Sequence, residues 1–477
     1  MRDGVQLGEE KKERKEQADR SLNLGDAEKK TLSSVFRADA DASLLSARAP
    51  PINAYRGRSV WITGASQGLG ARLALEYYRL GAHVVLSSRS EEKLRAVAAA
   101  VVRAGGARGG ALPPAPPPPP PPAPTVLPFD ALAPYAKLEE AAARAAEASR
   151  EAWAEREGEA QGGGSSSRSS PAAHSSPPSQ REAPPPRLSL LVLCAGASQH
   201  AAAAATTAAV SDAILELNAA APIRLTRAAL PHLLETAAAA DAAAAKANET
   251  GAVAGAGAAA GAGAASGKKG ADPLLPPAAA VLGVSSMAAL VPSPGQAAYS
   301  ASKAALALYL RSVEAELFDR GLRTTTVYPG PLSSSSPSSG EDGEDGEDGR
   351  IFSTTAVRTV YGSSGLKKEG DEAVSSKARE DRKRLDGARA AGLIVTAGYH
   401  GIGEALLGKH PVLLLGHLAR GGGVVSGGLP QRLLRKVLSK VGPARAAALE
   451  EGRGGYDAGA LLSSTTSSSS QGGKKQA

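Results

Sequence analysis

Short apolar runs recur along the chain, each followed by a turn and then by a stretch whose apolar positions repeat every three or four residues. The first run is "SVWITG" (Ser59–Gly64), followed by the helical pattern "ARLALEYYRLGA" and a second run, "HVVLSS". Strand, turn, helix, strand is one βαβ unit. Further strand candidates, "TVLPF", "LSLLVL", "AAVLGV" and "RTTTVY", begin at Thr125, Leu188, Ala279 and Arg323, with helical patterns between them. This alternation predicts a parallel sheet with helices on both faces, an α/β doubly wound arrangement of the Rossmann type.

Four low-complexity blocks interrupt the pattern, near residues 105–124, 158–186, 237–277 and 333–349. They are rich in proline, glycine, serine and alanine, or in repeats of "GED". Such compositions bury too little apolar surface to offset ordering entropy, so disordered insertions are expected. The division that follows is a disordered segment 1–51, a nucleotide-binding domain 52–332 with three insertions, and a Ser/acidic insertion 333–349. A substrate-side and helical extension 350–458 and a disordered tail 459–477 complete it.

Composition narrows the function. The 477 residues carry 55 basic and 47 acidic side chains, a formal charge of +8, and only 3% aromatics. The basic residues are scattered and lack interleaved aromatics, which argues against nucleic-acid binding. Cys194 is the single cysteine, so no intramolecular disulfide forms, and a reducing compartment fits. The N-terminal stretch has no apolar run of the kind a signal peptide or anchor needs, and no segment reaches the length of a spanning helix. The seven histidines show no metal-ligand spacing, so no metal site is expected.

Candidate chemistry sits at strand ends. Gly64, Ser66, Gly68, Leu69 and Gly70 lie between the first strand and its helix. Glycines let backbone amides approach a pyrophosphate, and the helix N-terminus favours the negative charge. After the second strand, Arg89 stands where a carboxylate would repel a 2′-phosphate, so NADP is favoured over NAD, with NAD(H) still possible. A second glycine stretch, "GLIVTAGYHGIGEAL" from Gly392, is expected to be a turn rather than another nucleotide site. Ser286 ends an apolar strand, Tyr299 follows thirteen residues later, and Lys303 lies one helical turn beyond Tyr299. A phenol loses its proton near pH 10, and an adjacent ammonium favours the phenolate.

The glycine loop, "CAG" after a strand, Asn218, Ser286, Tyr299, Lys303 and "YPGP" together resemble the short-chain dehydrogenase/reductase family over roughly residues 56–332. "PSPGQAAYSASKAAL", "APIRLTRAALPHL", "TVYPGPL" and the C-terminal "HPVLLLGHLARGG" are similar to its membrane-associated branch, which includes dehydrogenase/reductase member seven and the 11β-hydroxysteroid dehydrogenases. The resemblance implies Tyr299 as acid/base, Ser286 as the partner of the substrate oxygen and Lys303 as a holder of the nicotinamide ribose. It implies Asn218 as the anchor of a water in the proton relay. Asp130, Ala195, Gly196, Pro329 and Gly330 join the glycine loop, Arg89, Tyr299 and Lys303 as cofactor contacts. The chain departs from the family at Leu193 and Cys194, which replace two asparagines, and Ser334 is only a loose match for a threonine.

The expected function is an NADP(H)-dependent oxidoreductase interconverting a carbonyl and a secondary alcohol on a small apolar substrate such as a steroid, retinoid or lipid. A 3-oxoacyl-thioester reductase and a non-catalytic nucleotide-binding scaffold are the alternatives. The stripe Leu306, Leu310, Val313 and Leu317 reads as core or, by resemblance, as a homodimer interface. The basic amphipathic stretch at 429–442 suits peripheral contact with an anionic membrane, so the expected location is the cytoplasm or the surface of the endoplasmic reticulum.

Overall fold

The computed structural model describes residues 39–106, 120–162, 187–250, 276–333, 351–352, 360–361, 384–410 and 412–421. After a short helix α1 (Ala42–Ser46) the chain runs β1 (Ser59–Thr63), α2 (Gly68–Arg79), β2 (His83–Ser87), α3 (Glu91–Gly106), β3 (Thr125–Val126) and α4 (Tyr135–Gly162). Next come β4 (Leu188–Leu193), β5 (Ser198–Gln199), α5 (Ala208–Leu215), α6 (Ala221–Thr250), β6 (Ala279–Val284), α7 (Ala297–Leu317) and β7 (Leu322–Pro329). The remaining elements are β8 (Leu332–Ser333), β9 (Val360–Tyr361), β10 (Leu385–Asp386), α8 (Gly387–Tyr399), β11 (Glu404–Leu407) and α9 (Val412–Gly421).

Seven strands form one sheet in the order β11-β7-β6-β4-β1-β2-β3, and every pairing in it is parallel. The strands read as continuous apolar runs because both faces are covered. Val60 and Ile62 of β1 point into a core shared with Leu73 of α2, Leu94 of α3 and Ile394 of α8. Trp61 between them points the other way, toward Leu138 of α4, Leu225 of α6 and Leu306 of α7. Sequence order reverses direction between β1 and β4, so their C-terminal ends open the crevice where doubly wound sheets bind ligands.

Three expectations change. The seventh strand, β11, and its helix α8 come from residues assigned to a C-terminal extension, yet Ile394, Ala397, Leu406 and Leu407 are fully or almost fully buried. The stretch resembling a second glycine loop is therefore helix, turn, strand, the reverse order of a nucleotide loop, with Gly401 (φ 60°) at the turn. Residues 39–46, assigned to a disordered segment, pack on the core through Ala40 and Leu44. Helix α6 runs through the start of the expected insertion at 237 and ends at Thr250, and α4 likewise passes 158 to end at Gly162. Alanine-rich sequence favours helix, and Ala237 finds a buried place. The stripe Leu306, Leu310 and Val313 is core. Among the described residues, no helix is long and apolar enough to cross a membrane. The amphipathic stretch 429–442 and Ser334 lie outside the described residues.

Candidate active site

The site is built at the ends of β1, β4 and β6 and along the first turns of α7. Gly64 adopts φ 68° and Gly68 φ 61°, conformations that side chains with a Cβ rarely take. A Cβ on Gly70 would sit 2.3 Å from the Gly64 carbonyl oxygen, and one on Gly64 would sit 2.8 Å from the Ala195 backbone. The loop is thus folded tightly against the start of α2 and against the turn after β4. Helix α2 carries no acidic residue in its first turn, and its cap residue Gln67 makes no side-chain bond to the helix amides. Those amides are placed for an anion.

The turn after β4 is stabilised by a residue the sequence pattern did not single out. Thr63 Oγ1 donates to the Val192 carbonyl (3.2 Å) and accepts from the N–H groups of Cys194 (3.2 Å) and Ala195 (3.4 Å). These bonds serve the strand end where asparagines are missing. The available signal was position alone: a hydroxyl immediately before Gly64. Burial pushes the Cys194 thiol up to about 11, against the opposing influence of the Lys303 ammonium, so it behaves as a small apolar filler.

Asn218 lies in a single π-helical turn, Glu216–Ala220, between α5 and α6, and is fully buried. Such turns recur at functional sites. Its Oδ1 accepts from Ala197 N (2.9 Å), and its Nδ2 donates to Ala197 O (2.8 Å) and Ser302 Oγ (3.1 Å). The side chain therefore stitches the "CAGA" turn to α7. A Cβ on Gly196 would meet Asn218 Oδ1 at 3.0 Å and Lys303 Nζ at 3.2 Å, so glycine is what admits both groups.

Tyr299 and Lys303 are both buried on the inner face of α7. Lys303 Nζ donates to the Val284 carbonyl (3.0 Å), and Ser285 Oγ donates to the Lys303 carbonyl (2.9 Å). The helix is thereby pinned to the end of β6 from both sides. Tyr299 packs with Ala197, Val210 and Ile214, and Ala288, two residues past Ser286, lies against the same cluster. Ser286 is half-buried and accepts from Ala288 N (3.2 Å), which leaves its hydroxyl proton to donate elsewhere. Of the small residues around Tyr299, Ser302 is buried while Ala301 and Ala305 face outward, so only part of that run serves close packing.

The other candidate residues spread outward from this centre. Gly330 follows β7, and its N–H donates to the Leu407 carbonyl of β11 at 2.6 Å. Arg89 is exposed beyond β2. Asp130 is exposed too, and its Oδ1 accepts from Leu132 N (3.0 Å), so it holds its own turn. Between Arg89 and the sheet, Ser88 Oγ is buried without a hydrogen-bond partner among the described residues. A buried orphan hydroxyl, a glycine cradle and an anion-accepting helix terminus fit a dinucleotide lying across the strand ends. No trio of His, Cys, Asp or Glu suited to a metal occurs among the described residues.

The family model for short chain dehydrogenase matches residues 58–110 and 273–344, segments that contain the glycine loop, Arg89, Ser286, Tyr299, Lys303 and Gly330. A hydroxysteroid 11-beta-dehydrogenase 1-like protein B from Xenopus laevis is 46% identical over 43 residues, 9% of this chain and 15% of that protein. The 3-oxoacyl-[acyl-carrier-protein] reductase FabG of Rickettsia bellii is 46% identical over 41 residues, 9% of this chain and 17% of that protein. The chain thus spans under a fifth of the length of these two curated relatives. A short-chain dehydrogenase structure from Streptomyces avermitilis is 20% identical, with a TM-score of 0.43, covering 81% of this chain and 99% of that one. The family-model match makes these two segments similar to short chain dehydrogenases, and the strand order gives the chain a doubly wound fold.

Proposed function

We propose that the protein is an NADP(H)-dependent oxidoreductase that interconverts a carbonyl and a secondary alcohol on an apolar substrate. The observation that carries this reading is the burial of Tyr299 and Lys303 on one face of α7, beside Gly196 and Asn218 at the ligand end of the sheet. The glycine loop and Ser88 would hold the dinucleotide, and Arg89 would offer its guanidinium to a 2′-phosphate. When bound, the nicotinamide supplies or accepts the hydride. Ser286 donates a hydrogen bond to the substrate oxygen and orients it. Tyr299 then gives that oxygen a proton, or removes one in the alcohol direction. The Lys303 ammonium, one helical turn away, stabilises the negative charge left on the phenol oxygen. Asn218 keeps the Gly196 turn and the α7 helix in register, and an ordered water beside it would refill the proton.

The similarity to a hydroxysteroid-type protein favours an apolar ketone. The equal identity to an acyl-carrier-protein reductase supports a second reading, a 3-oxoacyl-thioester reductase with the same residues in the same roles.

NADPH oxidation by the purified protein against steroid ketones, retinal and 3-oxoacyl thioesters separates these readings. Tyr299→Phe is expected to lower kcat by roughly 10²- to 10⁴-fold, the loss of one proton donor, with NADPH affinity nearly unchanged. Full turnover by the phenylalanine variant sinks the mechanism. NADPH binding by the wild-type protein with no turnover on any substrate points to a scaffold.

A further inference from the structure

The sheet ends on one side at β11, four residues long and bonded along its inner edge to β7. A short edge strand leaves a row of backbone groups unpaired unless something covers them. Here residues 39–41 do so. Asp41 N donates to the Leu406 carbonyl (3.1 Å), Leu406 N donates to Asp41 Oδ2 (3.0 Å), and Gly408 N donates to the Asp39 carbonyl (2.8 Å). Ala40 and Leu407 form an antiparallel bridge. Two arginines fasten the strap from other elements. Arg389 of α8 forks onto the Asp39 carboxylate at 3.0 and 3.3 Å. Arg420 of α9 reaches Asp41 at 3.9 Å and Glu404 of β11 at 2.9 Å.

The far side of the same strand end holds the Pro329–Gly330 loop, because the Leu407 carbonyl accepts the Gly330 N–H. Leu407 thus stands between the strap and the loop. We propose that Asp41 is a positioning residue for this loop: it fastens the strap to β11, and β11 fixes the backbone of Pro329 and Gly330, which the family resemblance sets against the cofactor. The cofactor half of this inference rests on the function proposed above.

Asp41→Asn tests it selectively. Asp41 Oδ1 accepts from Leu44 N (3.2 Å) and Ser43 Oγ (2.8 Å) as the cap of α1, and asparagine caps equally well. An amide has one acceptor oxygen where the carboxylate has two, so the Leu406 N–H loses its partner while α1 keeps its cap. Hydrogen exchange of peptides covering 322–333 and 404–410 reads the coupling without any cofactor. Both peptides are expected to exchange faster in the variant, with 188–196 unchanged. NADPH titration reads the consequence: Kd is expected to rise about fivefold, the size of one lost hydrogen bond. Arg389→Gln, which breaks only the Asp39 pair, is expected to move both readouts in the same direction by less, and serves if the first variant does not fold. Unchanged exchange at 322–333, or faster exchange with unchanged NADPH affinity, overturns the positioning role. A wild-type protein that fails to bind NADPH overturns the functional reading instead, and leaves the exchange result to judge the strap.

Discussion

Arg89 is the residue on which the proposed preference for NADP(H) rests. It is exposed at the end of β2, next to the orphan hydroxyl of Ser88. An exposed guanidinium gains less from a phosphate than a buried one, since water and salt screen it. Arg89→Ala is therefore expected to weaken NADPH by roughly tenfold and NADH by little, measured by titration with each cofactor. Equal losses show a surface charge with no part in the choice. At this scale the sequence was informative for residues whose chemistry is carried by type and spacing. Tyr299 and Lys303 one turn apart and the glycines after a strand are of that kind. It was silent on Thr63 and Ser285, whose roles come from hydrogen bonds across strands that no local pattern encodes. The hydrogen bond from Leu132 N to Asp130 Oδ1, which fixes the turn that carries this proposed cofactor contact, was equally illegible.

Elements show the same division. Six of the seven strands are long enough, or apolar enough, to stand out, and β11 is not. It is four residues, opens with Glu404 and follows a glycine-rich turn, and its strand state comes from pairing with β7 rather than from its own pattern. Helix ends were misjudged where alanine runs out of the core into low-complexity sequence. Ala237, at the start of the expected insertion, lies 3.2 Å from where a Cβ on Gly321 would be and belongs to the core beneath α6. The position of that boundary has a measurable consequence. Removing residues 253–270, beyond Thr250, is expected to shift Tm by no more than roughly 2 °C, because loop-closure entropy varies only with the logarithm of length. A deletion beginning at 237 also removes the last turns of α6 with buried Ala237 and is expected to lower Tm several times more. Thermal unfolding of the two variants checks the boundary, and a large drop for the shorter deletion shows that the removed residues pack on the core.

At the scale of the whole molecule, stability is linked to protons through one side chain at the end of the sheet opposite the site. His83 of β2 is fully buried between Ser59 Oγ of β1 (3.0 Å from Nδ1) and Thr125 Oγ1 of β3 (2.9 Å from Nε2). Burial lowers its pKa from 6.5 to about 4. The unfolded chain then binds a proton that the folded one refuses between those two values, so stability rises with pH across that window. The contribution is complete above pH 6.5 and is lost as pH falls to about 4, roughly 3 kcal/mol in all. Denaturant unfolding at pH 7, 5.5 and 4 is expected to show this fall, and His83→Gln to flatten it; an identical slope in the variant assigns the effect to other groups. The strap on β11 sets a different kind of limit, one of timing. Asp41 and Leu406 lie 365 residues apart in the chain, and their pairing is among the longest-range contacts in the fold. On a ribosome adding 5–20 residues per second, residues 39–46 wait roughly 20 to 70 s for the strand they cover. The sheet can acquire this edge cover only after Leu406 has been made, so under the proposed function the Gly330 loop is expected to take its final shape late.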